Sequence, residues 1–83
     1  MNYEFTQHAR HAMQAREVLP EWVEQTIDAP ELRQPDPNDD SVERLFRRIP
    51  DHGNRVLRVA VNTRVELARM VGVFFDRTKK GKL

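Results

Sequence analysis

Arg55-Val56-Leu57-Arg58-Val59-Ala60-Val61-Asn62 is the stretch whose reading decides the fold. Three β-branched valines and a leucine follow the turn signal Gly53-Asn54, which predicts the middle strand of an antiparallel meander. Apolar runs joined by short polar loops usually pair in sequence order, so its predicted neighbours are Val42 to Ile49 before it and Leu67 to Phe75 after it. In the middle strand Leu57, Val59 and Val61 share one face, and Val56, Arg58 and Ala60 share the other. The first set is assigned to the core. Both flanking runs carry arginine inside apolar sequence, and this points to a surface that binds something.

The remaining chain is read outward from that strand. Thr6 is placed to cap a helix in which Phe5, Ala9, Ala12, Met13 and Arg16 fall on one side, His8 at its edge and His11 nearly opposite. Pro20 suits the first turn of a second helix, along which Leu19, Val23 and Ile27 recur every four residues. Tyr3-Glu4-Phe5 alternates as an edge strand or an apolar lead-in, and Pro30, Pro35 and Pro37 confine Glu31 to Gln34 to an edge position at best. Asp36 to Ser41 reads as an acidic loop, and Gly72 as a bulge that changes which face of the last strand is buried. The expected architecture is α+β, with two N-terminal helices packed on one face of a three- to four-stranded, largely antiparallel sheet. Its second face is expected to be partly open, with Arg58 near the centre.

At 83 residues, 39% hydrophobic and 33% charged, the chain has the composition of one globular domain spanning 1–83, with residues 78–83 a frayed basic tail. It has no cysteine, so disulfide frameworks and thiolate zinc sites are excluded. Nowhere do 18 apolar residues run together, and the start lacks the apolar region of a signal peptide; a cytoplasmic protein without a membrane partner is expected. Residues 1–43 hold three arginines against ten acids, a net charge of −7, whereas residues 44–83 hold eleven lysines and arginines against three acids, a net charge of +8. Such asymmetry suits a basic surface for phosphate or an acidic protein segment, unless the two halves neutralise each other across the fold.

The run His8-Ala9-Arg10 through Met13 and Arg16-Glu17-Val18, then Leu19-Pro20-Glu21 with Val23, Ile27 and Pro30, resembles a small bacterial domain family of uncharacterised activity. Its motif reads His-Ala-x-x-Arg-Met-x-x-Arg-Gly-Ile, followed by a Val-x-x-x-Leu/Ile-x-x-Pro helix. Arg55 to Val61 and Val71-Gly72-Val73-Phe74-Phe75 look like the last two strands of that family. Ala12 stands where the motif has arginine, and Glu17 where it has glycine. The family is similar to RelE/BrnT-type toxins, small α+β ribonucleases paired with acidic or DNA-binding antitoxins. The resemblance implies a toxin-like RNA-interacting protein, a weak or degenerate endoribonuclease of a toxin–antitoxin system, with its groove on the open sheet face.

Cleavage of RNA through its 2′-hydroxyl needs an acid, a base and cationic stabilisation, for which His8 and Arg58 are the catalytic candidates. Arg47, Arg58, Arg69, Arg77 and Lys79 are the candidates for binding RNA or a partner, because arginine grips phosphate bidentately and stays charged. His52, between Asp51 and Gly53, reads as a turn residue, and Trp22 as an anchor at the helix margin. His8 and His11 are spaced like metal ligands but have no third ligand, so no metal is expected. Three scattered glycines build no phosphate loop, and no cofactor is expected. The partners expected are RNA, an acidic antitoxin-like protein or a second copy of the chain. The alternative is a non-catalytic interaction module that uses the open sheet face.

Overall fold

Thr6 does cap the first helix, accepting the Ala9 amide at 3.1 Å, and the same hydroxyl donates to the Met70 carbonyl at 3.0 Å, so the cap also ties the helix to the last strand. The computed structural model describes residues 3–64, 68–79, 81 and 83. The elements run β1 (Tyr3–Phe5), α1 (Gln7–Ala15), α2 (Pro20–Asp28), β2 (Leu32–Pro35), β3 (Val42–Ile49), β4 (Arg55–Asn62) and β5 (Ala68–Phe75). Leu67, expected in the last strand, lies outside the described residues, as do Glu66, Lys80 and Lys82.

The β3-β4-β5 meander is antiparallel, as expected, and β4 is its middle strand. The sheet nevertheless has five strands, in the order β1-β5-β4-β3-β2, and is mixed because β1 pairs parallel with β5. The expectation of three to four strands falls short because both edges are short. β1 has three residues and joins β5 only through a distant parallel register, and β2 has four and ends on Pro35, which a central strand could not hold.

Ala9, Ala12 and Met13 of α1 and Trp22, Val23 and Ile27 of α2 are buried against Leu45, Ile49, Leu57, Val59, Val61, Met70 and Val73. Two positions of the expected helix stripes face outward: Leu19 is 46% exposed and Arg16 is exposed, because both lie beyond the helical turns that touch the sheet. In β5 the register shifts beside Gly72: Ala60 pairs with Gly72, but Val61 pairs with Met70. This extra residue brings Met70 to the face of Val73, which strict alternation would forbid. Gly53 and Asn54, with φ of 66° and 58°, make the β3–β4 hairpin. Glu17 also has positive φ, 56°, at the α1–α2 corner. A side chain in this left-handed conformation costs on the order of 1 kcal/mol.

The second face is more closed than expected. Leu32, Phe46, Arg58 and Phe74 form one row across β2, β3, β4 and β5. Phe46 and Val56 are each only 1% exposed. Thr78 and Lys79, the start of the expected tail, belong to a 3-10 turn at Arg77–Lys79 that packs against β4 and sets the Lys79 ammonium 5.5 Å from the Phe46 ring. A lysine stem can cover apolar surface while its charge stays near water.

Candidate functional site

Most arginines of the basic half are engaged inside the fold. Arg44 pairs with Asp36 at 3.2 Å, Arg64 with Asp40 at 3.2 Å, and Arg69 with Glu4 at 2.9 Å across the parallel β1–β5 pair. Arg33, from the acidic half, pairs with Glu43 at 2.8 Å. The Arg47 guanidinium donates to the Ala29 carbonyl at 2.8 Å, placing a cation at the C-terminal end of α2, and its Nε is buried without a partner. Arg47 and Arg69, two of the expected binding residues, therefore have structural positions.

Arg48 grips Glu31 through its backbone N–H at 2.8 Å and its Nη2 at 2.7 Å. These hydrogen bonds, with the charges of Arg48 and Arg47, lower the Glu31 pKa from 4.5 to about 2. The folded carboxylate keeps its charge where the unfolded one has lost it. Its contribution is thus complete above about pH 4.5 and fades as the pH falls towards about 2. Glu31→Gln has no such charge to lose, so urea melts are expected to show the variant less stable than wild type near neutral pH and the difference shrinking through that window.

Arg58 sits mid-row on the second face, its guanidinium 3.8 Å from the centre of the Phe74 ring and 3.7 Å from Asp76 Oδ2. Burial lowers its pKa, the charge of Arg44 adding to the effect and Asp76 and Asp36 opposing it. Burial pushes Asp76 up, yet hydrogen bonds from the Thr78 hydroxyl and backbone N–H, together with Arg58, hold it below its ordinary value. Arg58 is thus stacked and paired. His8 is exposed on α1, on the helix-covered side of the sheet, so the two catalytic candidates lie on opposite faces and are not brought together. His11 is likewise exposed on α1.

What remains is a cleft at the end of the sheet that carries the β3–β4 hairpin. It has a volume of about 600 Å³ and is lined by Arg16, Arg55 and Arg77 with Val56, Phe74, Phe75 and Asp76. Three distant segments supply the cations: Arg16 follows the last turn of α1, where the helix dipole favours a positive charge, Arg55 opens β4, and Arg77 follows β5. Among the described residues none of the three has an acidic partner. His52 borders the cleft, stacked on Phe75 with ring centres 4.8 Å apart and 5.1 Å from Trp22. Its Nε2 lies 3.4 Å from Arg55 Nη1, and because guanidinium only donates, a hydrogen bond there leaves Nε2 as the acceptor.

Of the site residues expected from sequence, Arg77 lies in this cleft; Arg16, Arg55 and His52 are not among them. The acidic loop lies at the opposite end of the sheet, where Thr63, just after β4, donates to the Ser41 carbonyl. The molecule is therefore polarised along its strands. Among the described residues no cluster of His, Cys, Asp and Glu could hold a metal, and no helix is long and apolar enough to cross a membrane.

No curated protein and no solved structure matches the chain. Residues 5–75 do match a family model, so that the match takes in both helices, β2 to β5 and the hairpin beside the cleft, and the chain belongs to the family described as Domain of unknown function (DUF4258).

Proposed function

We propose that the protein is a toxin-like RNA-interacting protein and that it grips RNA phosphates in the cleft of Arg16, Arg55 and Arg77. The observation that carries this reading is the set of three guanidiniums without acidic partners, on a concave wall that also presents aromatic rings. Unpaired arginines cost less to desolvate against a polyanion than arginines that must first leave a carboxylate, and single-stranded nucleic acid sites combine such charge with aromatic stacking. An antitoxin-like acidic protein would be drawn to the same charges and would compete with RNA there.

The kinship to RelE/BrnT-type ribonucleases belongs to this proposal, with its catalytic part altered. His52 is the histidine that touches the cleft lining, so any phosphodiester cleavage is expected to be lost in His52→Ala and kept in His8→Ala. Binding is tested by titrating labelled single-stranded RNA with the purified chain at low salt, and toxicity by inducing expression and following growth and messenger RNA integrity. Saturable binding that weakens with salt is expected, together with arrested growth. Absence of RNA binding at low salt overturns the proposal.

A further inference from the structure

The charge balance of the cleft goes beyond general affinity for RNA. Arg16, Arg55 and Arg77 line one cleft with three permanent positive charges. The lone carboxylate there, Asp76, is turned to other groups: Oδ1 accepts from the Thr78 N–H at 2.9 Å and from its hydroxyl at 2.6 Å, and Oδ2 faces Arg58. An internal phosphodiester carries one negative charge, whereas a phosphomonoester carries about −1.5 to −2 near neutral pH and has three free acceptor oxygens. Each guanidinium can satisfy a monoester oxygen through a charge-assisted hydrogen bond, whereas a diester offers two free oxygens to three donors.

Placement agrees with this chemistry. The cleft lies at the end of the sheet, between the hairpin Pro50–Asn54 and the turn Arg77–Lys79, and is not a groove running across the strands. The second face, along which a through-running strand would have to lie, carries the Leu32–Phe46–Arg58–Phe74 row, with the Lys79 ammonium 5.5 Å from the Phe46 ring. A site set at the sheet end suits a chain terminus better than a chain interior. The His52–Phe75 stack stands beside it, Phe75 itself lining the cleft, as an aromatic platform for the adjoining base.

We infer that the cleft takes a phosphomonoester attached to a nucleoside, as at a phosphorylated RNA end, in preference to an internal phosphodiester. This rests on the RNA-binding reading above and narrows its ligand.

The test titrates the purified full chain with one short single-stranded RNA in three forms: 5′-phosphorylated, 3′-phosphorylated and with both ends hydroxyl. A mononucleotide and inorganic phosphate serve as competitors. Trp22, the single tryptophan, stands 5.1 Å from His52, so its fluorescence gives a label-free readout beside anisotropy. One phosphorylated form is expected to bind at least about tenfold more tightly than the hydroxyl form, the size of one added charge-assisted hydrogen bond. That preference is expected to vanish in Arg77→Ala and in Arg55→Ala, and to persist in Arg33→Ala, whose guanidinium pairs with Glu43. Competition by the mononucleotide at equal affinity assigns the monoester to free nucleotides, and competition only by the oligonucleotide assigns it to RNA ends; both support the inference. Equal affinity for phosphorylated and hydroxyl-ended RNA overturns it and leaves RNA binding standing, whereas no binding of any form removes both.

Discussion

Phe46→Ala is expected to lower the unfolding free energy by about 3–5 kcal/mol, the usual cost of truncating a buried phenylalanine. Phe46 is 1% exposed, yet it points away from both helices, in the same row as Arg58. Were the second face an open binding surface, the same truncation would cost no more than roughly 0.5 kcal/mol, as at ordinary surface positions. A chain of this size holds only about 4–12 kcal/mol in total, at roughly 0.05–0.15 per residue, so the two outcomes are far apart. Thermal melts should place the variant more than about 12 °C below wild type, at about 4–8 °C per kcal/mol. Lys79→Ala, which removes the cation near the ring together with its stem, should cost about 0.5–1 kcal/mol. A small loss for Phe46→Ala would return the second face to the list of candidate surfaces.

Local chemistry was readable from the sequence wherever a single residue type dictates it. Thr6, Pro20, Gly53 and Asn54 all stand where backbone geometry asks for them, and the alternation of Leu57, Val59 and Val61 gave the buried face of β4. Gly72 marked the bulge because an interruption of alternation at a glycine has few other causes. The edge strands were only half visible, since three or four residues carry too little periodicity and β1 depends on a partner more than sixty positions away. Least visible was which arginines would be free. Arg48 meets Glu31 across 17 positions and Arg69 meets Glu4 across the sheet edge, so each pairing follows from register and not from neighbouring sequence. From sequence Arg16 falls on the apolar stripe of the first helix and Arg55 at the start of a strand, and neither position shows that the two meet in one cleft. The signal that could have found them is the topology itself, which brings the end of α1, the start of β4 and the end of β5 to one place.

The same topology separates Arg55 and Arg77 from Arg58, although all three belong to the basic half. Replacing both Arg55 and Arg77 by glutamate is expected to weaken RNA binding by about 100-fold or more, since each charged hydrogen bond lost is worth about 1.5–3 kcal/mol and repulsion is added. Stability should change little, because Arg77 has no partner among the described residues and Arg55 meets only the exposed side of His52. Arg58→Ala should do the reverse. It strips the cation from the Phe74 ring and leaves Asp76, whose side chain is only 11% exposed, without its counter-charge, for a cost of about 1–3 kcal/mol with RNA affinity nearly kept. Salt dependence separates loss of contacts from loss of fold. RNA binding by the wild type should weaken with salt, as a negative slope of log K against log salt of about −0.7 per phosphate charge neutralised. The milder Arg55→Ala, Arg77→Ala double variant should flatten that slope, and Arg58→Ala should leave it as in the wild type. If Arg58→Ala flattens the slope while the double variant does not, the phosphates lie on the sheet face after all, and the cleft is only a solvated end of the sheet.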